Sequence, residues 1–237
     1  MQIEGKNAVR EALRAGTTIE KLTALKGSSD RDSASVIAMA REKGVKVVFV
    51  DKSVLDKLSV TGRHQGMIAS ATDFEYSTLE EIANAENPLI IILDGVEDPH
   101  NLGSVIRVAE CAGASGVVIG KHRSCQVNET VVRVSAGACQ HVKIAKVTNI
   151  NYAIEYLKEK YIWVYGADMD GDSIYDTNLT GPCAIVIGGE GDGVHQTTRK
   201  LCDQIVSLPM FGKVNSLNAS VATGIAVYEV VRQRINK

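Results

Sequence analysis

The chain has 237 residues, 45% of them hydrophobic, and a formal net charge of −2. That length suits one large or two modest domains with a sizeable core, and the near-neutral charge excludes a polycation that holds nucleic acid by bulk charge alone. No apolar run approaches a membrane span, and the first residues include acidic Glu4 with no leader-like stretch, so the cytoplasm is the expected location.

In chain order, Gly5 to Ala15 reads as a helix and Ile19 to Leu25 as a strand. Ser33 to Lys43 is a helix with Val36, Ile37 and Ala40 on one face, and Val45 to Val50 is a buried strand because it is almost entirely β-branched and apolar. Asp51 caps a short helix through Leu58, and Gly66 to Ala71 makes another strand. These elements make a small α/β domain over residues 1–72. The composition then turns polar, with a capping-box-like Ser77-Thr78-Leu79-Glu80; 73–86 reads as a linker with a short helix. A second domain fills 87–237.

The second domain opens on Leu89 to Leu93, an apolar strand of the parallel-sheet kind. A loop from Asp94 to His100 leads into a helix with Leu102, Val105, Ile106 and Ala109 at helical spacing. Strands follow at Gly116–Ile119, Val142–Ala145, Ile162–Tyr165, Ala184–Ile187 and Val206–Leu208, with helices at Val127–Ala136, Asn149–Glu159 and Leu217–Arg234. Alternating strands and helices predict an α/β domain with a parallel sheet.

Five scattered cysteines (Cys111, Cys125, Cys139, Cys183 and Cys202) form no C-x-x-C pair. They read as buried, inert thiols and leave no zinc or disulfide framework. The five histidines show no ligand spacing and take surface or capping roles, so no metal site is expected. The stretch 121–146 sets Lys121, Arg123, Arg133, Lys143 and Lys146 against only Glu129; it is either a solvated face or a contact for phosphates.

Three loops carry the polar groups. The first runs from Asp94 into a helix and holds Asn101 and Arg107; Asn101 would serve as an N-cap and Arg107 lies off the apolar stripe, where an ion pair to Glu97, Asp98 or Glu110 is the plain reading. The second is Gly188-Gly189-Glu190-Gly191-Asp192-Gly193, after a buried strand. Its spacing does not fit the dinucleotide fingerprint, and no acid follows at the right distance, which disfavours a nicotinamide oxidoreductase. The third, from Leu208 to Asn218, crowds Asn215, Ser216, Asn218 and Ser220 at the start of an apolar helix. One cap would suffice there, so some of these groups are expected to face a ligand.

In this order, the three loops resemble the three motifs of the SpoU (TrmH-like) branch of the SPOUT RNA methyltransferases. With Glu4 to Val9 and Arg63-His64-Gln65-Gly66 at the front, the chain is similar to the 23S rRNA guanosine 2′-O-methyltransferase subgroup. The resemblance implies an L30e-like RNA-binding domain, then a methyltransferase domain with a deep trefoil knot, although chain-threading rules alone would not predict one. It implies an S-adenosylmethionine pocket at Gly166, Ala167, Asp168, Gly188, Gly189, Gly191, Leu208, Met210, Leu217 and Asn218. Asn101, Arg107, Glu190, Ser216 and Asn218 would be the catalytic group, with Arg107 organising a phosphate and the ribose 2′-oxygen and Glu190 orienting Asn101 or Arg107. It also implies an RNA partner and a homodimer through the second domain, the last helix being more apolar than one sheet face requires. A tRNA guanosine 2′-O-methyltransferase is the near alternative, disfavoured by the N-terminal domain; an idle rRNA-binding module of the same fold is the other.

Overall fold

A computed structural model describes residues 2–14, 17–28, 30–72, 74–189, 193–213 and 216–236. The chain divides into two compact units, Met1–Glu75 and Tyr76–Lys237. No helix among the described residues is long and apolar enough to cross a membrane.

The first unit contains β1 (Gln2–Glu4), α1 (Lys6–Arg14), β2 (Thr18–Leu25), α2 (Arg31–Glu42), β3 (Lys46–Val50), α3 (Lys52–Leu58) and β4 (Met67–Thr72). The sheet order is β1-β4-β2-β3; β2 and β3 run parallel and β4 is antiparallel to its neighbours. Val9 and Leu13 of α1 and Val36, Ile37 and Ala40 of α2 cover Leu22, Ala24, Met67 and Ala69 of the sheet. The Asp30 carboxylate caps α2 by accepting the Ser33 N–H at 2.9 Å. Three expectations change here. β3 is an edge strand and not a buried one: Phe49 is 45% exposed, with the Arg41 guanidinium 5.9 Å over its ring. Asp51 stands at the start of α3 without making a side-chain cap. His64 is buried, with Nε2 2.9 Å from Asp56 Oδ1 and Nδ1 accepting the Gly66 N–H at 3.0 Å.

The second unit runs α4 (Leu79–Ala83), β5 (Leu89–Asp94), α5 (Pro99–Cys111), β6 (Gly116–Gly120), α6 (Glu129–Val134), β7 (Ile144–Val147), α7 (Ile150–Glu159), β8 (Trp163–Ser173), β9 (Cys183–Gly188), α8 (Gln196–Arg199), β10 (Gln204–Ser207) and α9 (Ala219–Ile235). Its six strands are all parallel, in the order β10-β8-β9-β5-β6-β7. β5 is buried along its whole length, as a central strand covered on both faces must be.

Much of the expected linker is packed. Ile82 of α4 is fully buried among Ile90, Ile92 and Val118. The capping box belongs to Thr78 and Glu81, one residue later than expected, because the Ser77 N–H is spent on the Ile144 carbonyl at 2.9 Å. β8 continues eight residues past Tyr165, to Ser173. The expected strand stops at Tyr165, yet the end of this extension pairs with β10, and the register shifts between Ile205 and Val206. Cys111 is exposed, against the expectation for thiols, whereas Cys125, Cys139 and Cys183 are buried; burial pushes the Cys183 thiol up to about 11.

Successive strands β5, β6 and β7 step one way from β5, and β9, β8 and β10 lie on its other side. In open parallel sheets, ligands bind beyond the carboxyl ends of the strands where the order reverses. Here that place lies beyond Asp94 of β5 and Gly188 of β9.

Candidate active site

Two adjoining cavities occupy that position. The first, of about 500 Å³, is lined by the end of β9, the bend in β8 at Ala167, Asp168 and Met169, and the loop before α9. Ala167, Asp168, Gly188, Gly189, Leu208, Met210, Ser216, Leu217 and Asn218, all anticipated from the sequence, stand in its wall, joined by Ile187, Val206 and Ala222. The second, of about 410 Å³, is lined by Asp94 to Asp98, Asn101, Arg123 and His195. Gly189 and Gly193 belong to both.

The glycines are required by packing. A Cβ on Gly188 would lie 2.0 Å from the Gly193 carbonyl carbon, and one on Gly189 would lie 2.3 Å from the Gly95 oxygen. No side chain fits where three backbone segments cross so closely. Gly166 does not line either cavity; it makes room for Ile205 and Cys202 behind the wall. Glu190 and Gly191 lie outside the described residues.

Among the described residues, a hydrogen bond joins the walls of the two cavities. Asn218 Nδ2 donates to Asn101 Oδ1 at 2.9 Å, across 117 residues of sequence. Both orientations have a cause. Asn218 Oδ1 caps α9, accepting the Ser220 N–H at 3.0 Å, the Ser220 hydroxyl at 2.6 Å and the Val221 N–H at 3.4 Å, which leaves its amide nitrogen to donate toward Asn101. Asn101 is not the N-cap of α5. Asp98 takes that role, accepting the N–H groups of His100 at 2.6 Å and Asn101 at 3.0 Å, so the buried Asn101 side chain is not spent on capping α5.

Arg107 is exposed and lines neither cavity. Six residues of α-helix set it about 120° around the axis from Asn101, on a different face of α5.

Several site residues were not foreseen. Asp94 ends β5; its Oδ2 accepts the His195 N–H at 3.0 Å, and its Oδ1 lies 2.9 Å from His195 Nδ1, outside hydrogen-bond alignment. An acid closing an otherwise apolar buried strand was the available signal. Arg199 bridges Asp168 at 2.8 Å and Asp170 at 2.7 Å, and its hydrogen bond holds the Asp170 carboxyl below the usual range. Of the basic stretch, Lys146 is half-buried with its ammonium 4.3 Å over the Tyr76 ring, and Lys143 donates to the Glu81 carbonyl at 3.0 Å. Arg123 is its one described member that enters a cavity.

The first cavity suits a nucleoside-bearing cofactor such as S-adenosylmethionine. Leu208, Leu217, Ile187 and Val206 offer flat apolar contact, the main chain approaches closely at Gly188 and Gly189, and Asp168 supplies an acid at the edge. The fold and its paired cavities place a cofactor-sized site at the carboxyl edge of a parallel sheet. The SpoU rRNA Methylase family model matches residues 88–228, and the RNA 2′-O ribose methyltransferase substrate binding model matches residues 2–77. The chain belongs to the SpoU methylase family, whose fold carries the trefoil knot, and it is an S-adenosylmethionine-dependent RNA methyltransferase. It is 41% identical to YacO of Bacillus subtilis, named for the TrmH family of tRNA/rRNA methyltransferases, over 97% of this chain and 94% of that one. It is 40% identical to the 23S rRNA (guanosine-2′-O-)-methyltransferase RlmB of Haemophilus influenzae, over 99% and 98% of the two chains. Among solved structures, the SpoU methyltransferase AviRb of Streptomyces viridochromogenes, in complex with the cofactor AdoMet, matches with a TM-score of 0.66 at 25% identity, covering 100% of this chain and 91% of that one.

Proposed function

We infer that this chain methylates the ribose 2′-oxygen of a guanosine in 23S rRNA. The observation that carries the reading is the Asn218–Asn101 hydrogen bond at the seam of two cavities, one fitted to the cofactor and one open to a polar nucleotide. S-Adenosylmethionine supplies a methyl group on a positively charged sulfur, open to in-line displacement. What the protein must add is alignment. The first cavity holds the nucleoside part by apolar contact and main-chain groups at Gly188, Leu208 and Leu217. Asn101 and Asn218 define where a ribose enters from the other side. Ser216 stands at the mouth of the cofactor cavity, and Glu190 is assigned the orienting role. Similarity to RlmB along both domains supports rRNA as substrate and the cytoplasm as the place of action. The name of the Bacillus relative keeps tRNA as the second reading.

Mapping 2′-O-methylribose across 23S rRNA and tRNA, from cells with and without this protein, tests the reading. One guanosine of 23S rRNA should lose its mark in the deletion strain. Loss confined to tRNA would replace the substrate, and no loss anywhere would leave an idle RNA-binding module.

A homodimer through the second domain belongs to the same reading. Val221, Tyr228 and Ile235 recur at seven-residue steps on one exposed face of α9, more apolar surface than a solvated helix presents. A part for Arg107 in the chemistry then falls to the dimer, where its outward guanidinium would serve the partner's cavity. Mixing Arg107→Ala with Asn218→Ala subunits should restore activity through heterodimers with one intact site. No rescue on mixing would refute the exchange, and a wild-type monomer in sedimentation would refute the dimer.

A further inference from the structure

The second cavity poses a charge problem. Asp94, Glu97 and Asp98 all line it, and an RNA strand carries one negative charge per phosphodiester. Like charges brought this close repel strongly once water is thinned out. Among the described lining residues, Arg123 is the only Lys or Arg. Among the described lining residues, that guanidinium is the group best suited to meet a phosphate.

Arg123 is built for exposure to a ligand more than for bracing the protein. No described residue forms a hydrogen bond or ion pair with its side chain, even with three acids in the same wall. Its backbone lies at φ 48°, a left-handed conformation that long L side chains seldom adopt. The surrounding loop enforces that conformation. The Lys121 N–H donates to the Val147 carbonyl at 2.8 Å, the Cys125 N–H donates to the Val96 carbonyl at 2.8 Å, and Gln126 Nε2 donates to the Gly120 carbonyl at 2.9 Å. The Cys125–Val96 bond fastens the loop to the segment that bears Glu97 and Asp98. The cavity therefore holds one cation among a group of carboxylates, on segments fastened to each other.

We propose that Arg123 seats the RNA phosphodiester adjoining the ribose that is methylated. The proposal rests on the methyltransferase reading above. The guanidinium fork matches two phosphate oxygens, and the acids lining the same cavity disfavour a phosphate elsewhere in it, so one residue sets the position of the substrate strand. Arg107, exposed and outside both cavities, does not meet this requirement within its own chain.

The test is steady-state methyl transfer from labelled S-adenosylmethionine to a 23S rRNA transcript, at several salt concentrations, with the full-length chain. Arg123→Gly removes the guanidinium and suits the left-handed backbone; Arg123→Lys keeps the charge without the fork. For the glycine variant, the RNA KM should rise about tenfold or more and the logarithmic salt slope should become shallower by about one phosphate contact. Its cofactor Kd should stay within about twofold, with a thermal midpoint no lower than wild type. The lysine variant should keep the salt slope at an intermediate KM. A glycine variant with wild-type KM and salt slope overturns the proposal. So does one that loses stability and cofactor affinity together, since that marks a structural role. Wild-type protein that methylates no RNA removes the underlying reading, a result distinct from an active enzyme indifferent to Arg123.

Discussion

The two cavities meet at Gly189 and Gly193 yet are built on different principles. The first is walled mostly by small and apolar residues and main chain, with Asp168, Ser216 and Asn218 among them, so shape would do most to select its ligand. The second is lined by three carboxylates, a histidine, an asparagine and one arginine, so the placement of charge would select there. A cofactor of constant shape can be met by rigid backbone. An RNA nucleotide must be desolvated, oriented and released, and charges do that work. The asparagine pair stands between them and is the one described side-chain link that answers to both.

Substitutions should separate these contributions. The largest effect belongs to the shape-built cavity. Gly188→Val places a branched side chain where even a Cβ would lie 2.0 Å from backbone, so it should destabilise by about 1–3 kcal/mol and abolish measurable S-adenosylmethionine binding in calorimetry. Wild-type affinity in that variant would show that the backbone crossing is not needed.

At the seam, Asn218→Asp keeps the cap oxygen of α9 and removes the donor to Asn101. Stability should match wild type, because Asn and Asp cap about equally, whereas Asn218→Ala should cost about 1 kcal/mol. Turnover should fall about 100-fold in both, read by single-turnover methyl transfer. If Asn218→Asp remained fully active, the amide bridge would be a cap and nothing more. In the charge-built cavity, Asp94→Asn loosens the hold on His195; RNA KM should rise a few-fold, on the order of 1 kcal/mol, with cofactor Kd unchanged.

The smallest effect lies away from both cavities. Hydroxyls of Ser59 and Thr61, then the N–H groups of Val60 and Thr61, hold the Glu4 carboxyl at about 2, below its ordinary 4.5. A depressed carboxyl stabilises the fold above its ordinary value and loses that contribution as pH falls toward 2. Glu4→Gln should flatten the acid side of the stability profile while leaving cofactor binding alone, as thermal melts across pH 2–5 would show.

The same contrast explains what could be read before the structure was known. The walls of the first cavity were legible because close backbone approach demands glycine and a helix start demands caps, and both leave marks in sequence. β5, α5 and β9 were legible from unbroken apolar runs and helical spacing. The second half of β8 was not, since its partner β10 supplies the pairing that Asp170, Gly171 and Asp172 do not announce. β3 looked buried because β-branched residues favour strands whether central or at an edge. Asp94, Arg123 and His195 come from three separate segments, and only the strand order brings them together. Arg107 was legible as a residue off the apolar stripe of α5, and it is exposed there, outside both cavities.

The division of labour between the cavities is tested most directly by a crystal structure with S-adenosylhomocysteine, the demethylated product of the cofactor. The adenosine should lie against Leu208, Leu217 and Gly188, with the sulfur turned toward the Asn101–Asn218 bridge and the second cavity clear. Adenosine seated among Asp94, Glu97 and Arg123, or bound away from both cavities, would contradict the account.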